Sequence, residues 1–168
     1  FLKYKSKNLP VYIYPIGSIT KNQEGKELSE IGEMVNQGAV TISDDGIPVK
    51  NSQILRMALE YSKKFKIPVI NHAEDNYLVN HGIMNEGSTS LRLGLPGNPS
   101  ISESTMVFRD LSIAEYVSGK IHVPHISTSE SVDVIKSFKD RGIDITCEIT
   151  PHHLCLNDEI LFNYNTNS

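Results

Sequence analysis

The chain has 168 residues, 39% of them hydrophobic and 21% charged, which suits an ordinary globular domain with room for one core. A formal net charge of -4 gives no electrostatic case for nucleic acid or an anionic membrane surface, and no apolar run is long enough to span a bilayer. Two cysteines, Cys147 and Cys155, make no disulfide framework; they fit a reducing cytoplasm and are expected as buried small apolar residues.

Phe1 to Asn8 reads as the end of a preceding helix, and Val11 to Gly17 as a strand that Pro15 brings to its end. Ser18 to Lys26 is a polar loop. Leu28, Ile31, Met34 and Val35 then fall at helical spacing, stopped by Gly38. A strand over 39–43 runs into Asp44-Asp45-Gly46 and a loop to residue 51. Ser52 is the expected N-cap of a helix with Ile54, Leu55, Ala58, Leu59 and Ser62 on one face. Lys63, Lys64 and Lys66 close it, as the helix dipole favours.

The strand 68–72 follows and breaks off in Asn71-His72-Ala73-Glu74-Asp75. Residues 75–100 form a long connection with glycines at 82, 87, 94 and 97, expected to be ordered over the functional rim. A helix from Ser102, with Met106, Leu111, Ile113, Ala114 and Tyr116 among its apolar positions, stops at Gly119. The strand 121–125 ends in His125. Ser129 opens a helix with Val132, Ile135 and Phe138 on one face, ending at Gly142. The strand 143–149 leads into Thr150-Pro151-His152-His153, and 154–161 starts another turn of structure. The chain begins at Phe1 rather than Met and stops in a polar run ending at Ser168, so both ends are expected to be cuts through a longer protein.

Strand and helix alternate four times before a fifth strand, which implies βαβ crossovers and a parallel sheet in an α/β fold. No Gly-rich phosphate loop follows any strand, which discounts a doubly wound nucleotide fold. Functional side chains at several strand ends match a (β/α)8 barrel instead. A complete barrel needs eight strands and about 200 or more residues. Residues 1–168 are therefore expected to be a single-domain piece of a TIM-type barrel.

Asp45, His72 and His125 each close a β-branched run, and all three are expected on one rim. Carboxylate oxygen and imidazole nitrogen together suit zinc, whose catalytic sites keep a position open for water. Taken singly, each has a plainer reading. A histidine at a strand end is commonly hydrogen-bonded structure, and Asp-Asp-Gly is commonly a turn. His122 has the opposite strand parity to His125 and is expected to face the helices as a structural residue. His152 and His153 lie just beyond a strand end and are candidates to line the site. His81 is expected to be solvated.

Asp44-Asp45-Gly46, Asn71-His72-Ala73-Glu74-Asp75, Gly82-Ile83-Met84-Asn85-Glu86-Gly87, Leu93-Gly94-Leu95-Pro96-Gly97, His122-Val123-Pro124-His125-Ile126-Ser127-Thr128 and Thr150-Pro151-His152-His153-Leu154 occur in this order. Together they closely resemble the type I, bacterial-style dihydroorotases of the amidohydrolase superfamily, from about Val11 to Leu161. The resemblance implies strands 3 to 7 of a metal-dependent hydrolase barrel. It makes Asp45 the bridging metal ligand, His72 the fifth-strand ligand and His125 the sixth-strand ligand. Spacing leaves Asp44 and Asp45 open; the resemblance selects Asp45. An acid there, where hydantoinases and many type II dihydroorotases carry a carboxylated lysine, points to the type I branch.

Three parts of the family pattern fall outside the chain. The first-strand His-x-His pair would precede Phe1, and the eighth-strand Asp, general base and metal ligand, would follow Ser168. The Arg and Asn contacts to the substrate carboxylate are also absent. Pro124 is unusual inside a strand and suggests a local bulge.

The implied activity is reversible cyclisation of N-carbamoyl-L-aspartate to (S)-dihydroorotate in pyrimidine biosynthesis, with one or two zinc ions. The resemblance further implies a cytoplasmic enzyme, inactive as this isolated piece, with a homo-oligomer or aspartate transcarbamoylase as candidate partners and neither nucleic acid nor membrane. The alternatives are another cyclic amidohydrolase, such as a hydantoinase or allantoinase, and an inactive dihydroorotase-like scaffold of aspartate transcarbamoylase. A metal-free α/β domain with buried histidines is a third.

Overall fold

A computed structural model describes residues 2–6, 9–79 and 81–164. Residues 1, 7 and 8 of the expected helix end, and the last four of the polar tail, lie outside the described residues.

The elements in order are α1 (Leu2–Lys5), β1 (Ile16–Gly17), α2 (Ile31–Asn36), β2 (Thr41–Ser43), α3 (Ser52–Ser62), β3 (Val69–Ile70), α4 (Asn76–Val79), β4 (Met84–Asn85), α5 (Ser88–Leu93), β5 (Gly97–Asn98), α6 (Ile101–Val117), β6 (Ile121–Val123), α7 (Ser129–Asp140), β7 (Ile145–Cys147) and α8 (Pro151–Cys155). A five-stranded parallel sheet has the order β1-β2-β3-β6-β7. β4 and β5 form a separate parallel pair. The large sheet runs in chain order with no reversal, whereas a doubly wound sheet reverses at its ligand crevice.

Register explains which face is buried. Gly17, Ile42, Val69, Ile121 and Ile145 stand side by side across the five strands. Ile42, Val69, Ile121 and Ile145 of this row enter one cluster with Leu55 and Leu59 of α3, Val107 and Leu111 of α6, and Ile135 and Phe138 of α7. α6 packs between α3 and α7. The alternate row, Ser43, Ile70, His122 and Thr146, points to the opposite face and is only half-buried or exposed. The sheet is thus helix-covered on one side.

Several expected elements are shorter or displaced. Only Ile16–Gly17 of the 11–17 run joins the ladder, and Tyr12 is 90% exposed. β1 is an edge with one neighbour, and Pro15 takes part only through its carbonyl, which accepts from Val40 N at 3.0 Å. Leu28 pairs with Thr20 in an isolated bridge, so α2 starts at Ile31 rather than at Leu28. The cap of α3 is Asn51, not Ser52: its Oδ1 accepts from Gln53 N at 2.9 Å and Ile54 N at 3.4 Å. Asn51→Ala is expected to cost about 1 kcal/mol, read as a shift in the urea midpoint of the full-length protein. α6 begins at Ile101, with Ser102 buried inside it, and α7 is capped by Thr128. Gly119 follows the left-handed Ser118, and a Cβ there would meet Leu59 Cδ2 at 3.1 Å, so a side chain at 119 would push against the Leu59 side chain of α3.

The 75–100 connection is built rather than loose. It holds α4, α5 and the β4–β5 pair, and a Cβ on Gly82 would lie 2.6 Å from Asn98 N. Asp75 N donates to Ser102 O at 2.8 Å and ties its start to α6. Cys147 packs partly buried against the core as expected, but Cys155 is exposed on α8. The reason is the shortness of α8, which has no buried residue.

Candidate active site

β3 and β6 are neighbours in the sheet, and each hands its chain to a histidine just past the strand end. His72 Nδ1 stands 3.4 Å from His125 Nε2, with ring centroids 5.0 Å apart at 60°. A separation of 3.4 Å is long for a hydrogen bond. Two nitrogens about 2.0–2.1 Å from one tetrahedral zinc would stand about 3.3–3.4 Å apart. The pair therefore fits a shared metal better than it fits a mutual hydrogen bond.

Burial lowers the pKa of His72, and the neighbouring His125 lowers it further, against the pull of Glu74 and Glu103. A neutral imidazole with a free lone pair is what a metal requires. Glu74 Oε1 lies 3.8 Å from His72 Nε2, the nitrogen that faces away from His125. A carboxylate there favours a proton on Nε2 and leaves Nδ1 to donate its lone pair.

His125 has φ 39°, in the left-handed region. The β6 ladder ends at Val123, so Pro124 sits where no ladder donor is needed, and no bulge is required. The left-handed step also ends the strand alternation, and with it the parity argument for His122. His122 does not face the helices: its neighbours Ile121 and Val123 do, and His122 lies on the opposite face with Nδ1 2.8 Å from Thr146 Oγ1 and Nε2 3.7 Å from Glu148.

The two aspartates after β2 have separate roles. Asp44 is 2% exposed; its Oδ1 accepts from Ile19 N at 2.8 Å and Thr20 N at 3.0 Å, and its Oδ2 from Thr20 Oγ1 at 2.5 Å. That carboxylate is spent on holding the loop after β1. Asp45 is left-handed, with φ 56°, and exposed, and among the described residues its carboxylate has no partner. It is not brought into the histidine pair: among the described residues, no three His, Cys, Asp or Glu side chains are gathered as a metal cluster.

The pair opens into a cleft of about 910 Å³. Residues 82–86 and 98–100 of the connection form one wall, and His152 and His153 of α8 stand in another, as expected. His81 is exposed. Asp45 does not line this cleft.

Sequence reading missed the groups that brace the site, all anchored on α6. Asn71 is buried; its Oδ1 accepts from Val49 N at 3.0 Å, and its Nδ2 donates to Asp110 Oδ2 at 2.6 Å. Arg109 donates to Asp110 Oδ1 from Nε at 2.8 Å and Nη2 at 2.5 Å, and to the carbonyls of Val49 at 2.8 Å and Lys50 at 2.9 Å. Glu103 accepts from Ser127 and Thr128, just past His125. One helix thus touches the loops that follow β2, β3 and β6, the loops that carry Asp45, His72 and His125. Apart from the adjacent Arg109 and Asp110, these partners lie 22 to 60 residues apart, so no local pattern announces them.

The sequence profile of the dihydro-orotase-like family matches residues 4–131. The chain belongs to that family. It is 51% identical over 156 residues to the dihydroorotase of Acetivibrio thermocellus and 46% identical over 167 residues to that of Endomicrobium trichonymphae. These alignments cover 93% and 99% of the chain but 37% and 39% of the relatives, so the chain spans well under half of a dihydroorotase-like protein.

Solved structures add the fold. L-hydantoinase (dihydropyrimidinase) from Arthrobacter aurescens superposes with a TM-score of 0.72 at 18% identity, covering 95% of this chain and 37% of that one. D-hydantoinase from Bacillus sp. AR9 gives 0.67 at 16% identity, over 89% and 34%. The family-like motifs at Asp45, His72 and His125 fall inside the matched span.

Proposed function

We propose that the full-length protein is a dihydroorotase, interconverting N-carbamoyl-L-aspartate and (S)-dihydroorotate in pyrimidine biosynthesis, and that this chain supplies strands 3 to 7 of its (β/α)8 barrel. The identity of 44–51% to eight curated dihydroorotases over most of the chain carries the reading. The sequential parallel sheet with helices on one face supports the barrel wall.

His72 and His125 would hold a zinc ion through Nδ1 and Nε2, with Asp45 as a further ligand once the remaining strands complete the rim. When bound, the metal supplies Lewis acidity toward a carbonyl oxygen and lowers the pKa of water toward about 7. The chain's own residues prepare the place. Burial biases His72 toward its neutral form, and Glu74 beside Nε2 favours Nδ1 as the nitrogen with the free lone pair. The β4–β5 pair and its glycine contacts give the cleft a firm wall, and about 910 Å³ is ample for a small ring and its open form. Further zinc ligands and the proton-shuttling acid belong, on this reading, to other parts of the longer chain. The residues here alone are then expected to turn over at least about 10²–10⁴-fold more slowly than the full-length protein. Cys147 and Cys155 are unpaired, in keeping with a cytoplasmic site of action.

The test is to assay the full-length protein, loaded with zinc, for dihydroorotate hydrolysis beside hydantoin and allantoin. Turnover of dihydroorotate in clear preference to the other two is the expected result. Preference for hydantoin or allantoin would move the protein to another cyclic amidohydrolase activity. No turnover of any would favour the scaffold reading.

A further inference from the structure

We propose that Glu103 is a positioning residue for His125, holding the histidine toward His72 through the segment 126–128; the inference rests on the metal reading of that pair. His125 sits in a left-handed conformation, uncommon for a residue with a side chain, at the point where the chain leaves the sheet. The segment is pinned on two sides. Toward β7, Ile126 N donates to Glu148 O at 2.9 Å. Toward α6, the Glu103 carboxylate takes four donors: Ser127 N at 2.9 Å and Ser127 Oγ at 2.6 Å on Oε2, and Thr128 N at 3.1 Å and Thr128 Oγ1 at 2.8 Å on Oε1.

A charged acceptor holding two consecutive backbone N–H groups is a strong, directional clamp. It grips the chain two residues beyond His125 and at the N-cap of α7. Glu103 itself stands in the first turn of α6, beside Ser102, whose carbonyl accepts from Asp75 N three residues past His72. The same turn of one helix therefore references both histidine-bearing loops. Glu103 also lines the cleft, and its charge acts on His72. It is saturated by its four donors and is not offered as a ligand.

Glu103→Gln tests this in the full-length protein. The amide keeps one acceptor but turns two N–H donors toward the donors of either Ser127 or Thr128, so the clamp opens without a change of volume. Zinc affinity, measured by competition with a chelator, is expected to fall about 10–100-fold, the range for removing a group that orients a ligand. In a crystal structure of the variant, the His72 Nδ1 to His125 Nε2 separation is expected to widen. Ser127→Ala, which removes one of the four donors from an exposed residue, is expected to act in the same direction more weakly.

Unchanged zinc affinity with an unmoved 125–128 segment would overturn the inference, even if Tm fell, because Glu103 would then only support the start of α7. A wild-type protein that binds no zinc, together with a displaced segment in the variant, would sustain the positioning role and remove the metal reading instead.

Discussion

Asp110→Ala is expected to destabilise the full-length protein by about 3–5 kcal/mol, the range for breaking a buried ion pair from one side. Asp110 is 1% exposed on the inner face of α6. Its removal leaves the Asn71 amide without an acceptor and the Arg109 guanidinium without its counter-charge. Chemical denaturation of both proteins measures the difference. A loss below about 1 kcal/mol would mean that water or a neighbour replaces the carboxylate.

The same group makes stability depend on pH. Burial pushes Asp110 up to about 6 against the pull of Arg109 and Asn71. The folded state then holds a proton that the unfolded chain, with an ordinary carboxylate near 3.8, has already released. Unfolding releases that proton, so this contribution is favourable at low pH and declines as pH climbs from about 4 to about 6. Asp110→Asn removes the titration. The difference in Tm between the two proteins should therefore vary across that window and level off above it.

The second large effect is on turnover. His125→Ala in the full-length protein is expected to lower kcat by at least about 10²–10³-fold, as for the loss of a preorganised electrostatic contact at the reacting group. Bound zinc per chain should fall with it. His122→Ala serves as the control, because His122 shares the strand but bonds Thr146 and does not line the cleft. Equal losses in the two variants would mean that β6 is merely disturbed.

Much of the fold could be read from periodicity because the burial is one-sided and repetitive. β2, β3, β6 and β7 carry apolar residues on the row facing α3, α6 and α7, and those three helices repeat an apolar face at helical spacing. Boundaries were harder. Asn51 took the cap expected of Ser52 because its side chain reaches two amides, a choice made by geometry within one residue. Tyr12 and Tyr14 have the composition of a strand, yet β1 is an edge and pairs only from Pro15 onward. The long connection looked like loop because its strands are two residues each, held by glycine contacts rather than by apolar alternation.

At the site, His72 and His125 could be recognised because each ends an apolar run. The different duties of Asp44 and Asp45 could not, since only the approach of Ile19 and Thr20 separates them. His122 was misplaced because strand parity was carried through Pro124 to His125, past the point where the chain leaves the sheet. Glu103, Arg109 and Asp110 have no sequence signal, and Asn71 shows only as part of the His72 motif, because what each braces is set by contacts with distant segments.

α6 gives the site an unusual modularity. In barrels whose loops attach only to their own strands, one loop can be exchanged without consulting its neighbours, and such scaffolds diversify loop by loop. Here the segments after β2, β3 and β6 share a single anchoring helix through Arg109, Asp110 and Glu103. A graft of the His125 segment into a barrel scaffold would have to bring the first turn of α6 with it, and a graft of the Asp45 loop would have to bring Arg109. The unit that evolution or design can move is therefore the helix together with its three loops, from Asp44 to Ser131, rather than any one loop.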